Sequence, residues 1–234
     1  MGIAFRFMPF GAACLAAASV PADAQKYDGS PAAKLIDGLI GGPRWGSVKT
    51  FDVAGVRLGM SPDEARAALR KAGFTPAIAD PDQDAWSAVV SQRAADRIGG
   101  KVDQSKVPMF TRAKGLQGET VEAWYATTRD GAQVVEVKYQ MPASRMDRTA
   151  FTRATVAKYG RPTFEEGSKG IYCTKPETVC ASYEKKALPY LLVEPGFASL
   201  EIELMVGQRY QEERKASLAA AVEAAAPRDA KASF

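Results

Sequence analysis

The chain contains no histidine, and this single absence removes the usual general base, the usual proton shuttle and the commonest zinc ligand. Ser-His-Asp, Cys-His and histidine-metal mechanisms are excluded with it. Cysteine is almost as scarce, with Cys14, Cys173 and Cys180 as the whole complement. Long apolar runs are missing, since no segment approaches the roughly 20 consecutive apolar residues of a transmembrane helix. Neither sign of charge dominates: 31 basic against 27 acidic side chains give a formal +4. So small and unclustered an excess argues against a nucleic-acid partner and leaves at most a weak attraction to anionic lipid. Phosphate-cradling motifs are absent too, because no GK[ST] follows Gly99-Gly100. No cofactor is expected.

What is present begins at the N-terminus. Arg6 stands in a short basic stretch, Phe7 to Val20 carry no charge, and Ala22-Asp23-Ala24 is a small-x-small site. Residues 1–24 therefore read as a secretory signal peptide cleaved near Ala24, and the expected location is the periplasm or the exterior. Cys14 lies inside this segment, and the residues before it lack the leucine usual three positions ahead of a lipidated cysteine. Membrane association is expected only if Cys14 is lipidated. In an oxidising compartment Cys173 and Cys180 are expected to form a disulfide across the intervening TKPET turn. Closing so short a loop contributes about 2.5 kcal/mol on the loop-entropy account.

The strongest local signal is FDVAGVRLGMSPDEARAALRKAGFTP, 51–76. Val53, Gly55, Val56 and Leu58 read as a short strand. Ser61 and Glu64 then make a capping box with Pro62 at the first helical position. Ala65, Leu69 and Ala72 share one helical face, and Gly73 supplies the left-handed stop that folds Phe74 back. A second helix is expected from Trp86 through Ile98 with Asp84 as its N-cap and Gly99-Gly100 as its end. Asp80, Asp82 and Asp84 are spaced like the first ligands of a calcium loop, but Ala85 and Ser91 replace its glycine and its final glutamate, so capping and a solvated loop are expected instead of metal. Residues 101–118 read as a polar loop.

Asp130-Gly131 between VEAWYATT and AQVVEVKYQ predicts a β-hairpin. In its second arm Val135, Val137 and Tyr139 alternate with Glu136 and Lys138, giving one buried and one solvated face. Trp124 and Tyr125 are consecutive, so one ring faces the core and the other faces outward or meets a covering helix. Another helix, through Phe151 and Val156, ends at KYGRP much as the earlier one ends at KAGFTP, which hints at an internal duplication. Strands are expected at 171–173, 179–183, 190–193 and 200–206. Glu165-Glu166 beside Gly167 reads as a solvated turn, not as a glycosidase pair. Ser168-Lys169 and Ser105-Lys106 are adjacent, the wrong spacing for a serine activated by a lysine on one helical face. Residues 208–226 should be helical. Tyr210, Leu218, Val222 and Ala225 form a stripe able to dock, but its alanine content favours a solvated helix.

The phrase GVRLGMSPDEARAALRKAGF resembles the opening of SmpA/OmlA (BamE)-like envelope proteins and is similar to the related β-lactamase-inhibitory-protein-like fold. The resemblance covers about residues 53–76 and recurs weakly near 144–163. It implies an α+β architecture with helices packed on one face of an antiparallel sheet, as one or two tandem units. The organisation expected is a linker at 25–50, a first helix-on-sheet unit at 51–140, a second at 141–207, and a C-terminal helix with a frayed tail at 208–234. A non-catalytic exported protein touching an unidentified envelope protein follows from these readings. The alternatives are a periplasmic binder of a small or glycan ligand and an enzyme inhibitor. Trp86, Trp124 and Tyr125 are the candidate contact residues. A concave pocket lined by Trp86, Trp124 and tyrosines would mark the binder, and an exposed sheet face the contact protein.

Overall fold

The structure is a computed structural model that describes residues 47–77, 81–173 and 188–226. The expected signal peptide, Cys14, most of the 25–50 linker, Asp80, the 179–183 strand, the TKPET turn, Cys180 and the tail after Pro227 lie outside the described residues.

Helix α1, Pro62–Lys71, starts where the capping box requires. Ser61 Oγ accepts the Glu64 amide at 3.4 Å, and Glu64 Oε2 accepts the Ser61 amide at 2.8 Å. At the other end Gly73, with φ +87°, donates to the Arg70 carbonyl, and Phe74 donates to that of Leu69, both at 3.0 Å. These bonds satisfy carbonyls that the last turn leaves open. Ala65 and Leu69 are fully buried on the inner side. The segment ahead of α1 departs from expectation. Val53 to Val56 is a two-residue turn closed by reciprocal backbone bonds of 2.9 and 3.0 Å, with Ala54 at φ +53° and Gly55 at φ +81°. Both valines are buried because they flank the turn and enter the same core, which looks like strand patterning in the sequence.

Strand β1, Thr75–Pro76, follows α1. Strand β2, Pro81–Asp84, pairs with β3, Lys106–Pro108, as a small separate sheet around helix α2, Trp86–Ile98. Asp84 is not the N-cap of α2. Ala85 holds that position without a side-chain bond, while the Asp84 carboxylate meets Lys106 Nζ and Asp82 accepts the Met109 amide. Nor is 101–118 a loop throughout, since β4 spans Phe110–Lys114. Its inward residues, Thr111 and Ala113, are small, and they supply too weak an apolar alternation to announce a strand.

The hairpin at Arg129-Asp130 joins β5, Thr120–Thr128, to β6, Gly131–Pro142. Val137 is buried and Tyr139 packs on the core as expected, but Val134 takes the buried place expected of Val135. A β-bulge opposite Trp124 and Tyr125 leaves Val135 unpaired and shifts the phase by one residue. Helix α3, Arg148–Tyr159, is capped by Asp147, which accepts the Ala150 amide at 2.9 Å, and it closes at Gly160, with φ +83°. Then come β7 (Phe164–Glu166), β8 (Lys169–Cys173), β9 (Tyr190–Pro195) and β10 (Ser199–Met205). Glu165 and Glu166 thus lie on an edge strand, with the turn displaced to Gly167-Ser168.

The result is a mixed α+β fold with one eight-stranded antiparallel sheet in the order β1-β4-β5-β6-β10-β9-β8-β7. β6, which runs across the expected boundary at residue 140, pairs with β10 from Glu136–Met205 to Pro142–Ser199. One hydrophobic cluster runs from Leu69 and Phe151 through Val121, Ala123, Val137, Leu204, Leu191 and Tyr172. Helix α4, Gln208–Ala225, is not merely solvated. Leu218 and Val222 are buried, and Arg97 of α2 bonds Glu223 Oε2 at 2.9 Å and the Ala226 carbonyl at 3.2 Å. Two well-spaced aliphatics suffice to seat a helix whose alanines let it approach closely.

Candidate functional site

Strand register places the outward side chains of five neighbouring strands in three rows, because directly paired residues point to the same face. The first row reads Phe110, Trp124, Glu136, Met205, Tyr190. The second reads Arg112, Glu122, Lys138, Glu203, Leu192. The third reads Lys114, Thr120, Gln140, Glu201, Glu194. Toward β8 this face closes, for Ile171, Cys173 and Leu192 are buried with Tyr190 packed on them. Toward β4 and β5 it stays partly exposed.

The exposed half is built around Trp124. Its ring packs on Phe110 at 5.0 Å between centroids, tilted by 33°, and the Arg112 guanidinium lies 5.6 Å from the centre of the Phe110 ring. Arg112 also bonds Glu122 Oε1 at 2.7 Å. Lys138 stands between Glu122 and Glu203 in its row and reaches Glu201 Oε2 at 3.8 Å. Glu122, Glu136, Glu201 and Glu203 therefore stand among Arg112, Lys114 and Lys138, and carboxylates outnumber cations on the patch.

Glu136 carries the main electrostatic anomaly. Lodged between Trp124 and Met205 in an otherwise apolar row, its carboxyl is pushed up from 4.5 to about 7, first by burial and then by the charge and hydrogen bond of Glu203. Lys138 pulls the other way and is outweighed. Near neutral pH the position is poised between protonated and ionised forms, and a cation brought against it favours ionisation.

The three aromatic candidates separate. Trp124 lies on the partly exposed face. Tyr125, beyond the bulge, turns inward, is 4% exposed and donates its hydroxyl to Thr111 Oγ1 at 2.7 Å, so it is core. Trp86 opens α2, is partly exposed and belongs to none of these rows. Cys173 ends β8 in the smaller cluster, and its expected partner lies outside the described residues. A groove of 820 Å³ beside α3 includes neither tryptophan, nor Glu136 or Glu203. No helix among the described residues is long and apolar enough to cross a membrane.

Sequence reasoning missed Phe110, Glu122, Glu136, Lys138 and Glu203 as members of a site. Alternation marks Glu136 and Lys138 as outward, but which residues of β10 and β4 lie beside them is set by register between strands far apart in the chain. Comparison with protein-family models, curated proteins and solved structures finds no match.

Proposed function

We propose that this chain is a non-catalytic exported envelope protein that works through protein–protein contact, and that the partner docks on the Phe110–Trp124–Glu136 face. The observation that carries the reading is the acidic, aromatic-centred patch itself. A partly exposed tryptophan braced by a second ring and an arginine has the make-up of an interface anchor. The carboxylates around Lys138 select a partner surface rich in lysine or arginine, with Glu136 ionising as the partner's cation arrives. Export through a signal peptide at 1–24 and a Cys173–Cys180 disulfide belong to the same reading, as does the likeness to SmpA/OmlA-type envelope proteins.

The finer architecture belongs here too. We read the fold as two tandem helix-on-sheet units, α1-β1-β4-β5-β6 and α3-β7-β8-β9-β10, with β2-α2-β3 inserted in the first. Support comes from the strand order, which is the same going inward from either edge, with the last strand of each unit meeting at the centre. Glycine-terminated helices at Gly73 and Gly160 lead each unit. The functional reading is tested with a photo-cross-linking residue at position 124 in the native host. A discrete cross-linked protein is expected there, and none from position 154, which is exposed on α3 at the opposite side of the sheet. Equal cross-linking from both positions would contradict it.

A further inference from the structure

The opposite side of the sheet holds a second feature. Between α3 and the β7–β8 hairpin runs the 820 Å³ groove, inside the roughly 300–1,000 Å³ range of small-molecule sites. Its floor is apolar and buried, formed by Tyr172, Val193 and Pro195. Its walls carry Arg148, Arg153, Arg161 and Lys169 against one carboxylate, Glu165.

Some cations elsewhere are matched, as in Arg97–Glu223, Arg112–Glu122 and Lys158–Asp52. In the groove Lys169 is matched by Glu194 at 3.0 Å, but Arg148 lies over the exposed Phe197 ring at 4.5 Å. Arg153 is exposed and has no carboxylate within ion-pair reach among the described residues. Arg148 also occupies the first position of α3, whose first turn contains no acidic residue. A helix start favours negative charge, which the capping Asp147 supplies here. Crowding like charges along a cleft is unfavourable until an anion enters it.

We propose that this groove binds an amphiphilic organic phosphate, with the phosphate held by Arg148 and Arg153 and the apolar portion lying on Val193, Tyr172 and Pro195. Guanidinium groups suit the role because each presents two parallel N–H donors to a phosphate. The groove has no residue in common with the Phe110–Trp124–Glu136 patch, so it stands or falls independently of the contact reading.

The test is titration calorimetry of the full chain with three probes: dihexanoyl phosphatidate, dihexanoyl phosphatidylcholine and inorganic phosphate. Saturable binding of the phosphatidate is expected, with the zwitterionic lipid and inorganic phosphate each weaker by about tenfold or more. Arg153→Glu should weaken the phosphatidate by about tenfold or more at an unchanged unfolding midpoint, and Arg153→Lys should weaken it less. Equal affinity for both lipids, or an affinity indifferent to Arg153→Glu, would overturn the site. Inorganic phosphate binding as tightly as the phosphatidate would remove the apolar floor from the account and overturn the amphiphile assignment.

Discussion

Replacing Glu136 with glutamine should make the protein more stable, and only in part of the pH range. In the native state the Glu136 carboxyl is raised from 4.5 to about 7 by burial and by Glu203. A group raised on folding contributes stability that is complete below its unfolded value and is lost as pH climbs through the folded one. For Glu136 that window runs from 4.5 to about 7. At about 1.4 kcal/mol per tenfold the full span has an upper bound of about 3 kcal/mol. Because the side chain is partly solvated, screening reduces this to about 1–2 kcal/mol. Glu136→Gln, neutral throughout, should match the wild type at pH 4.5 and exceed it by about 1–2 kcal/mol at pH 8. With a urea slope of about 2 kcal/mol per molar, the midpoint should rise by about 0.5–1 M at pH 8. Glu203→Gln should give a smaller gain, because it relieves the repulsion but not the burial of Glu136, and the double variant should give less than the sum. A Glu136→Gln advantage of equal size at both pH values, or none at pH 8, would refute the reasoning.

Three further outcomes follow from the same geometry. Asp52 accepts the Gly55 amide at 2.8 Å and Lys158 Nζ at 2.9 Å. Burial pushes its carboxyl up, but the Lys158 and Gly55 bonds and the charges of Lys158 and Arg57 outweigh that and hold it below the usual carboxylate range. Asp52→Ala should therefore cost about 1 kcal/mol at pH 7, a difference that fades as the wild-type carboxyl protonates below pH 3.8, measured by urea unfolding across acid pH. The Tyr210 hydroxyl is buried with no hydrogen-bond partner among the described residues, so Tyr210→Phe should leave stability unchanged or raise it by up to about 1 kcal/mol, read from the thermal midpoint. Leu218→Ala should cost about 2–3 kcal/mol and speed amide exchange along α4, because that side chain seats the helix and is 6% exposed.

Helix ends and hairpin turns were legible in the sequence because their causes are local. Ser61, Glu64 and Gly73 specify α1 within a few residues of one another, and Asp130-Gly131 specifies the β5–β6 turn. Non-local causes left weaker traces. The Val135 bulge arises from how β5 meets β6, so alternation alone placed Val137 and Tyr139 correctly but put Val135 where Val134 is buried. β2 and β3 stabilise each other across more than twenty residues, and each is too short and polar to stand out. Trp124 was legible as a candidate because it precedes Tyr125 on one strand, whereas the acidic surround that gives it chemical meaning comes from β4, β6 and β10 together. The arginine groove drew no notice, since Arg148, Arg153 and Arg161 are ordinary helix and loop residues until β7 and β8 close against α3.

The central claim is that the acidic aromatic face engages a basic protein partner. Its most direct measurement is quantitative affinity capture from native-host envelope extract, comparing the tagged wild-type chain with Trp124→Ala combined with Glu122→Lys, and with Arg153→Glu as a folded control. The account predicts a protein that co-elutes with the wild type and with Arg153→Glu, dissociates as salt rises, and is lost from the face variant. Capture of the same protein at undiminished yield by the face variant would contradict it.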